Sequence, residues 1–182
     1  FTMKSVKTAK STSGKGFCGI GKIENDFEKA GAMRKNRTIV YVSISLDGVK
    51  RLYSEPKAER MYEQIKSILH RHFCIGVKGE VSLCGDENFV IFNDLESGEL
   101  EQNIDKCFEE INEVFVNHGA VNVVRVNFGY HRTSSTEVNF KTALARAKQA
   151  CSMAEDKNIL YCQWDLSDGK AFERKIKIEN NI

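Results

Sequence analysis

The residues most able to do chemistry in this sequence lie in one acidic turn. Residues 80–94 have the pattern of an apolar strand, a polar turn and a second apolar strand, and the turn contains Gly85, Asp86 and Glu87. Turn residues between two such segments are typical of a β-hairpin. Neighbouring carboxylates on stiff strands have the chemistry to hold a divalent cation and a phosphate. A solvated turn whose acids only add solubility fits the same pattern, so the turn alone leaves both interpretations open.

The elements that must position this turn alternate between helix and strand. Apolar residues recur at helical spacing in the segments 17–33, 56–72, 100–118 and 140–154. Strands are predicted, besides the hairpin, at 38–46, 121–130 and 159–164. The first of these strands is expected to end in a turn at Asp47 and Gly48. This order predicts a mixed α/β (α+β) fold with a mostly antiparallel central sheet and helices packed around it.

Length and composition are those of one domain with short flanking segments. The chain has 182 residues, of which 41% are hydrophobic and one is proline, and this suits a compact fold with long regular elements. We assign residues 17–165 to the domain, 1–16 to a linker rich in Lys, Ser, Thr and Gly, and 166–182 to a C-terminal linker with a charged helix at 170–182.

Charge and hydropathy exclude several classes of partner. The net charge is +2 and the basic residues are scattered, so we expect no nucleic-acid binding. The sequence contains no run of about 18 apolar residues, and we expect neither a membrane span nor direct membrane contact in this segment. Its six cysteines lack CxxC spacing, which favours reduced thiols and a cytoplasmic location.

The order of elements around the acidic turn resembles the GGDEF domain of bacterial diguanylate cyclases. The resemblance covers residues 11–165, and the family's DxDxFK segment aligns with residues 45–50, SLDGVK. Residues 126–129 resemble the family's SxG strand end, and 147–158 its alanine-rich helix. The signature itself falls on Cys84, Gly85, Asp86, Glu87 and Asn88. The resemblance implies a palm-like fold that joins two GTP molecules into cyclic di-GMP with the help of Mg²⁺.

Metal binding is the first property put in doubt by the residues present. Ser45 takes the place of the first aspartate of DxD, and serine coordinates Mg²⁺ weakly. The resemblance leaves Asp86, the Leu46 carbonyl and Asp47 as candidate metal ligands, so we expect Mg²⁺ binding to be weak or absent. Cys84 and Asn88 replace the first glycine and the terminal phenylalanine of the signature, with less room for a nucleotide beside Cys84.

Nucleotide recognition is altered as well. Tyr53 and Tyr62 fall where the family has an asparagine and an aspartate that bind guanine, so the carboxylate acceptor is missing. The two tyrosines either fill the guanine pocket or simply cap a helix. Glu155 takes the place of a phosphate-binding lysine, whereas Lys50 is kept and Lys157 partly compensates. The candidate nucleotide-binding residues are therefore Lys50, Tyr53, Tyr62, Asp86 and Lys157.

These substitutions predict a catalytically inactive GGDEF domain that serves as a regulatory, nucleotide-sensing or dimerisation module. Residues 161–182 are similar to the linker helix before an EAL phosphodiesterase domain, and an ordinary charged terminal helix is the alternative. The expected partners are GTP or a related nucleotide, the chain's own EAL domain and a second copy of the chain. The family's inhibitory RxxD site falls on Ile75 and Lys78, so product inhibition is not expected. An active diguanylate cyclase with unusual ligands and a ligand-free scaffold are the competing functions.

Overall fold

The acidic turn joins two neighbouring strands of a five-stranded sheet. The computed structural model describes residues 17–75, 78–85, 87–120 and 124–165, so the expected linker at 1–16 and the expected helix at 170–182 lie outside the described residues. None of the described helices is long and apolar enough to cross a membrane. The elements in chain order are α1 (Ile20–Ala32), β1 (Arg37–Ser45), α2 (Asp47–Leu52), α3 (Glu55–Phe73), β2 (Glu80–Leu83), β3 (Asn88–Asn93), α4 (Ser97–Asn117), β4 (Arg125–Thr133), α5 (Phe140–Lys157) and β5 (Tyr161–Gln163).

The sheet is built around β1. The strand order is β2-β3-β1-β4-β5, and β1 pairs antiparallel with both β3 and β4. Only the short pairing of β4 with β5 is parallel among the described strands. Ile39, Val40 and Val42 of β1 have no exposed surface, as expected for a strand that is covered on both faces. The predicted fold class, a mostly antiparallel sheet surrounded by helices, is confirmed.

Alternate residues of β1 enter two separate apolar clusters. Val42 packs in the larger cluster with Ile65 of α3 and Ile111 of α4. Ile39 packs in the smaller cluster with Phe27 of α1 and Ala147 of α5. Since successive strand residues point to opposite faces, helices α3 and α4 cover one face of the sheet and α1 and α5 the other. Each such buried aliphatic side chain stabilises the fold by roughly 1.5–3 kcal/mol.

Helix α5 approaches β4 very closely at Gly129. A Cβ atom built on Gly129 would lie 2.1 Å from the backbone nitrogen of Cys151 and 2.3 Å from the carbonyl oxygen of Ala147. Both atoms belong to the backbone and cannot rotate away, so only glycine fits at this contact. The alanine-rich character of α5 has the same cause, because small side chains let the helix lie close against the sheet.

Two boundaries differ from the sequence prediction. The strand predicted over residues 121–130 is described as β4 from Arg125 and continues to Thr133, and residues 121–123 lie outside the described residues. Thr133 pairs with Arg37, the first residue of β1, so β4 continues to the point where its partner begins. The predicted turn at Asp47 is instead the start of the short helix α2, which buries Val49 completely. A helix of six residues is too short to show helical periodicity in the sequence.

Candidate functional site

Separate parts of the chain meet at the end of the sheet where β1 finishes. Ser45 ends β1, Arg125 begins β4 directly opposite it, and Asn88 begins β3 on the other side of β1. The guanidinium of Arg125 donates a hydrogen bond of 3.1 Å to the carbonyl oxygen of Glu155, near the C-terminal end of α5. The fold therefore brings the predicted site positions on β1, β3 and α5 to one end of the sheet.

The signature turn is closed by its own backbone and tied to β1. The amide of Cys84 donates to the carbonyl oxygen of Asn88 at 2.8 Å, and the amide of Ile44 donates to the carbonyl oxygen of Glu87 at 3.3 Å. Gly85 has a φ of +78°, a backbone conformation that favours glycine. These contacts hold the turn in one place relative to the end of β1.

Lys50 and Glu87, both predicted site residues, form an ion pair with each other. The ammonium nitrogen of Lys50 lies 3.3 Å from Oε1 of Glu87, and the two side chains are 37% and 18% exposed. Oε1 is buried and has no aligned hydrogen bond among the described residues, so the contact is mainly one of charge. The Glu87 carboxylate raises the pKa of Lys50, with smaller contributions from Glu55 and Asp47. A phosphate that reached Lys50 would have to compete with Glu87.

Tyr53 and Tyr62 have different surroundings. Tyr53 is the C-cap residue of α2, its hydroxyl donates to the carbonyl oxygen of Gly119 at 3.1 Å, and the ammonium of Lys57 lies 3.8 Å from its ring centroid. Tyr62 packs against the larger core cluster, and its ring stacks on Phe89 with centroids 5.7 Å apart. Tyr53 thus links the end of α2 to the end of α4, whereas Tyr62 packs beside the beginning of β3.

Solved structures share this arrangement of strands and helices. The chain is similar to the active GGEEF domain of a diguanylate cyclase from Vibrio cholerae, with 14% identity, 82% of this chain and 98% of that chain covered, and a TM-score of 0.66. It is also similar to the GGDEF domain of DgcB from Caulobacter crescentus in complex with c-di-GMP, with 10% identity, coverage of 81% and 91%, and a TM-score of 0.62. The chain has the GGDEF-domain fold.

A further similar structure is an EAL/GGDEF domain protein from M. capsulatus, with 15% identity, 75% of this chain and 92% of that chain covered, and a TM-score of 0.53. Neither a scan of protein-family models nor a search of curated proteins finds a match. At such identities the likeness supports the GGDEF fold, and the roles of individual residues stay predictions.

The described residues at the end of β1 offer few oxygen ligands to a metal ion. Ser45 offers a hydroxyl, and the carbonyl oxygen of Leu46 already accepts the amide hydrogen of Lys50 at 3.0 Å. Asp47 is exposed on the first turn of α2. Among the described residues, which leave out Asp86, no three His, Cys, Asp or Glu side chains lie close enough together to hold a metal. Because Mg²⁺ prefers carboxylate oxygens, this donor set is poor, and the assignment of Asp86, Leu46 and Asp47 as ligands stays a prediction.

Several cations lie along α5 and beside its C-terminal end. Lys157 lies exposed in the last turn of α5, two residues after Glu155. Arg125 places a guanidinium beside the Glu155 backbone, and Lys148 lies over the ring of Tyr41 with its ammonium 5.5 Å from the centroid. Positive charge at this end of the sheet therefore comes from β4 as well as from α5.

Sequence reasoning missed Tyr41 and Arg125. The Tyr41 side chain hydrogen-bonds to Asn88, and burial, followed by the nearby Cys84 thiol, raises the pKa of its phenol. An aromatic residue in a β-branched run is read as core packing, and an arginine in a valine-rich run as a solvent-facing residue. The strand register that brings both to the site has no direct signal in the sequence.

Proposed function

We propose that this chain is a catalytically inactive domain with the GGDEF fold that serves as a regulatory module in cyclic di-GMP signalling. The observation that carries the proposal is the ion pair of 3.3 Å between Lys50 and Glu87, beside a strand that ends in Ser45. Joining two GTP molecules requires metal ions that stabilise the attacking and leaving oxygens, and those ions need free carboxylates. Here one carboxylate of the signature is engaged by the lysine that would otherwise bind phosphate.

The surroundings of Tyr62 support the loss of guanine recognition. Its ring stacks on Phe89 at a centroid distance of 5.7 Å, at a position where the resemblance expects a carboxylate. A site that discriminates guanine depends on buried polar groups that pair with the base. A tyrosine at this position supplies no carboxylate to accept hydrogen bonds from guanine, so any nucleotide bound here would be held with little preference for its base.

An attached EAL phosphodiesterase domain is the partner we propose. The support is the similarity of residues 161–182 to an EAL linker helix, and one similar structure comes from an EAL/GGDEF domain protein. In this proposal the domain works in the cytoplasm, and GTP or a related nucleotide, or pairing of two copies of the domain, changes the activity of its neighbour. Lys50 and Asp86 would be the residues that still respond to a nucleotide.

The cyclase assay tests the loss of catalysis. The purified chain is incubated with GTP and either Mg²⁺ or Mn²⁺, and cyclic di-GMP is measured by chromatography, with the active Vibrio cholerae GGEEF domain as the positive control. We expect no product from this chain under conditions in which the control domain is active. Appreciable cyclic di-GMP would overturn the proposal and favour the alternative of an active diguanylate cyclase with unusual ligands.

The regulatory role needs a second measurement. The phosphodiesterase activity of the full-length protein is compared with and without GTP, for the natural sequence and for Lys50→Gln. We expect GTP to change the activity of the natural protein and to have a smaller effect on the variant. Equal activities in all four samples, together with no heat of binding at millimolar GTP, would contradict nucleotide sensing and favour the ligand-free scaffold.

A further inference from the structure

A second groove lies at the opposite end of the sheet from the acidic turn. It has a volume of about 750 Å³ and is bordered by the C-terminal end of α1, the start of β2 and the last residues of β3 and β4. This volume is in the range of sites that bind small organic molecules. Since β1 begins at this end and finishes at the other, the groove is separated from Lys50 and Glu87 by the length of the central strand.

The groove has an excess of positive charge. Lys22 lies 2.8 Å from Asp26 and 3.1 Å from Glu80, so two of its three acidic residues already share a cation, and Asp94 is the third. Most of its cations are exposed and form no ion pair with any described residue. The cationic residues that line it are Lys29, Arg34, Lys35, Lys78 and Arg132.

Arg34 occupies a backbone position that normally belongs to glycine. Its φ is +56°, and it directly follows the C-cap residue of α1. The amide of Arg34 donates to the carbonyl oxygen of Gly31 at 2.9 Å, and that of Lys35 to the carbonyl oxygen of Ala30 at 3.0 Å. This pattern is the helix-ending motif in which glycine is favoured, because a side chain there is strained. Strain of this kind is a reason to look for a function of the side chain that bears it.

The guanidinium of Arg132 is held in place by neutral hydrogen-bond acceptors and forms no ion pair with a described carboxylate. Its guanidinium donates to the carbonyl oxygens of Asp94, at 3.1 Å, and Leu95, and to the hydroxyl of Thr38 at 3.3 Å. All three acceptors are neutral, so the side chain is oriented and still cationic. The groove thus combines a fixed guanidinium with flexible lysines, which suits phosphate oxygens.

The groove also offers an apolar surface. Met33 at its edge is 60% exposed, and Phe92 contributes to the lining. The thioether and the aromatic ring can contact the base of a nucleotide, and the neighbouring cations can contact its phosphates.

We propose that this groove binds a nucleoside polyphosphate, with its phosphates against Arg34, Lys35 and Arg132 and its base against Met33. The site is independent of the acidic turn and of the function proposed above. Lys78 is at its rim and belongs to the segment where an inhibitory site was expected, but Ile75 does not line the groove. The cations that define the groove come from the end of α1 and from β4.

Calorimetric titration of the chain with inorganic pyrophosphate and with ATP tests the proposal. We expect one saturable binding event in the groove for either ligand, with ATP bound more tightly because its base contacts Met33. ATP that binds at the acidic turn gives a separate event, which Lys50→Gln removes. Arg34→Gly should weaken both about tenfold, the value of one charge-assisted contact. Its melting temperature should not fall, because glycine relieves the strained position. Met33→Ser should remove the preference for ATP over pyrophosphate.

Two matched variants distinguish binding in this groove from a general effect of net charge and from binding at the acidic turn. Lys106→Gln removes one exposed cation on α4, and Lys50→Gln removes the cation of the acidic turn. Neither should change the affinity of the binding event that Arg34→Gly weakens. Equal weakening by Lys106→Gln and Arg34→Gly would show that only net charge matters and would overturn the proposal. Binding that is lost in Lys50→Gln but kept in Arg34→Gly would place the nucleotide at the acidic turn, which also overturns this inference while supporting the nucleotide-sensing role.

Discussion

Acidification should destabilise this protein through one histidine, His131. The side chain is 7% exposed on β4, packed edge-on against Trp164, and its Nε2 lies 3.3 Å from a guanidinium nitrogen of Arg146. Burial, together with the charges of Arg146 and Arg37, lowers the pKa of His131 from 6.5 to about 4. The folded protein therefore keeps His131 neutral at pH values at which the unfolded chain binds a proton.

The size and direction of the effect follow from this difference. Between about pH 6.5 and pH 4 the unfolded state holds more protons at this residue than the folded state, so the free energy of unfolding increases with pH. A fall from 6.5 to about 4, at about 1.4 kcal/mol for each pH unit, corresponds to about 3 kcal/mol. That stability is fully present above pH 6.5 and is lost as the pH falls toward 4.

Urea unfolding at a series of pH values measures the effect. The variant His131→Gln keeps an acceptor for Arg146 and cannot be protonated in this range. Between pH 7 and pH 4 the free energy of unfolding of the natural protein should therefore fall by about 3 kcal/mol more than that of the variant. The carboxylates are the same in both proteins, and their contributions cancel in the comparison. Parallel curves for His131→Gln and the natural protein would refute the reasoning.

Two further predictions concern the packing of α5 and the acidic turn. In urea unfolding, Gly129→Ala should lower the free energy of unfolding by about 3 kcal/mol, because the new Cβ meets the backbone of Cys151. The control Gly98→Ala should be neutral or slightly stabilising, because a Cβ there has no atom within 4 Å. A loss below about 1 kcal/mol in Gly129→Ala would contradict the close approach. A double-mutant cycle of Lys50→Met and Glu87→Gln should give a coupling of about 0.5–1 kcal/mol that shrinks at high salt, because both side chains are partly exposed, and zero coupling would contradict the ion pair.

Much of the fold was predictable from local patterns. The alternation in β1 and the spacing of apolar residues in α3 and α4 each report burial of one face, and these elements form within a few residues of their predicted bounds. The C-terminal end of β4 and the identity of α2 were not predictable in the same way. The end of a strand depends on how far its partner extends, as at Thr133 opposite Arg37, and this is a non-local property.

The candidate site was predictable only as a set of positions. The resemblance indicated the turn, the end of β1 and the end of α5, and the fold brings these together. It gave no sign that Lys50 would face Glu87, or that Arg125 would stand beside Glu155. Side-chain partners of this kind depend on the strand register. The register decides which charged side chains from distant parts of the sequence lie within reach of one another.

The positions that determine this fold and those that determine its chemistry are physically separate. Gly129 cannot change without a clash with the backbone of α5, and the signature turn is closed by its own backbone contacts between Cys84 and Asn88. Ser45 and Glu87 are under no comparable packing constraint, because each lies partly exposed at the end of the sheet. A chain can therefore keep the GGDEF fold while charged residues beside its signature turn pair with one another, as Lys50 and Glu87 do. For this reason the presence of the signature sequence is weak evidence for catalysis, and the partner of Lys50 is the more informative observation.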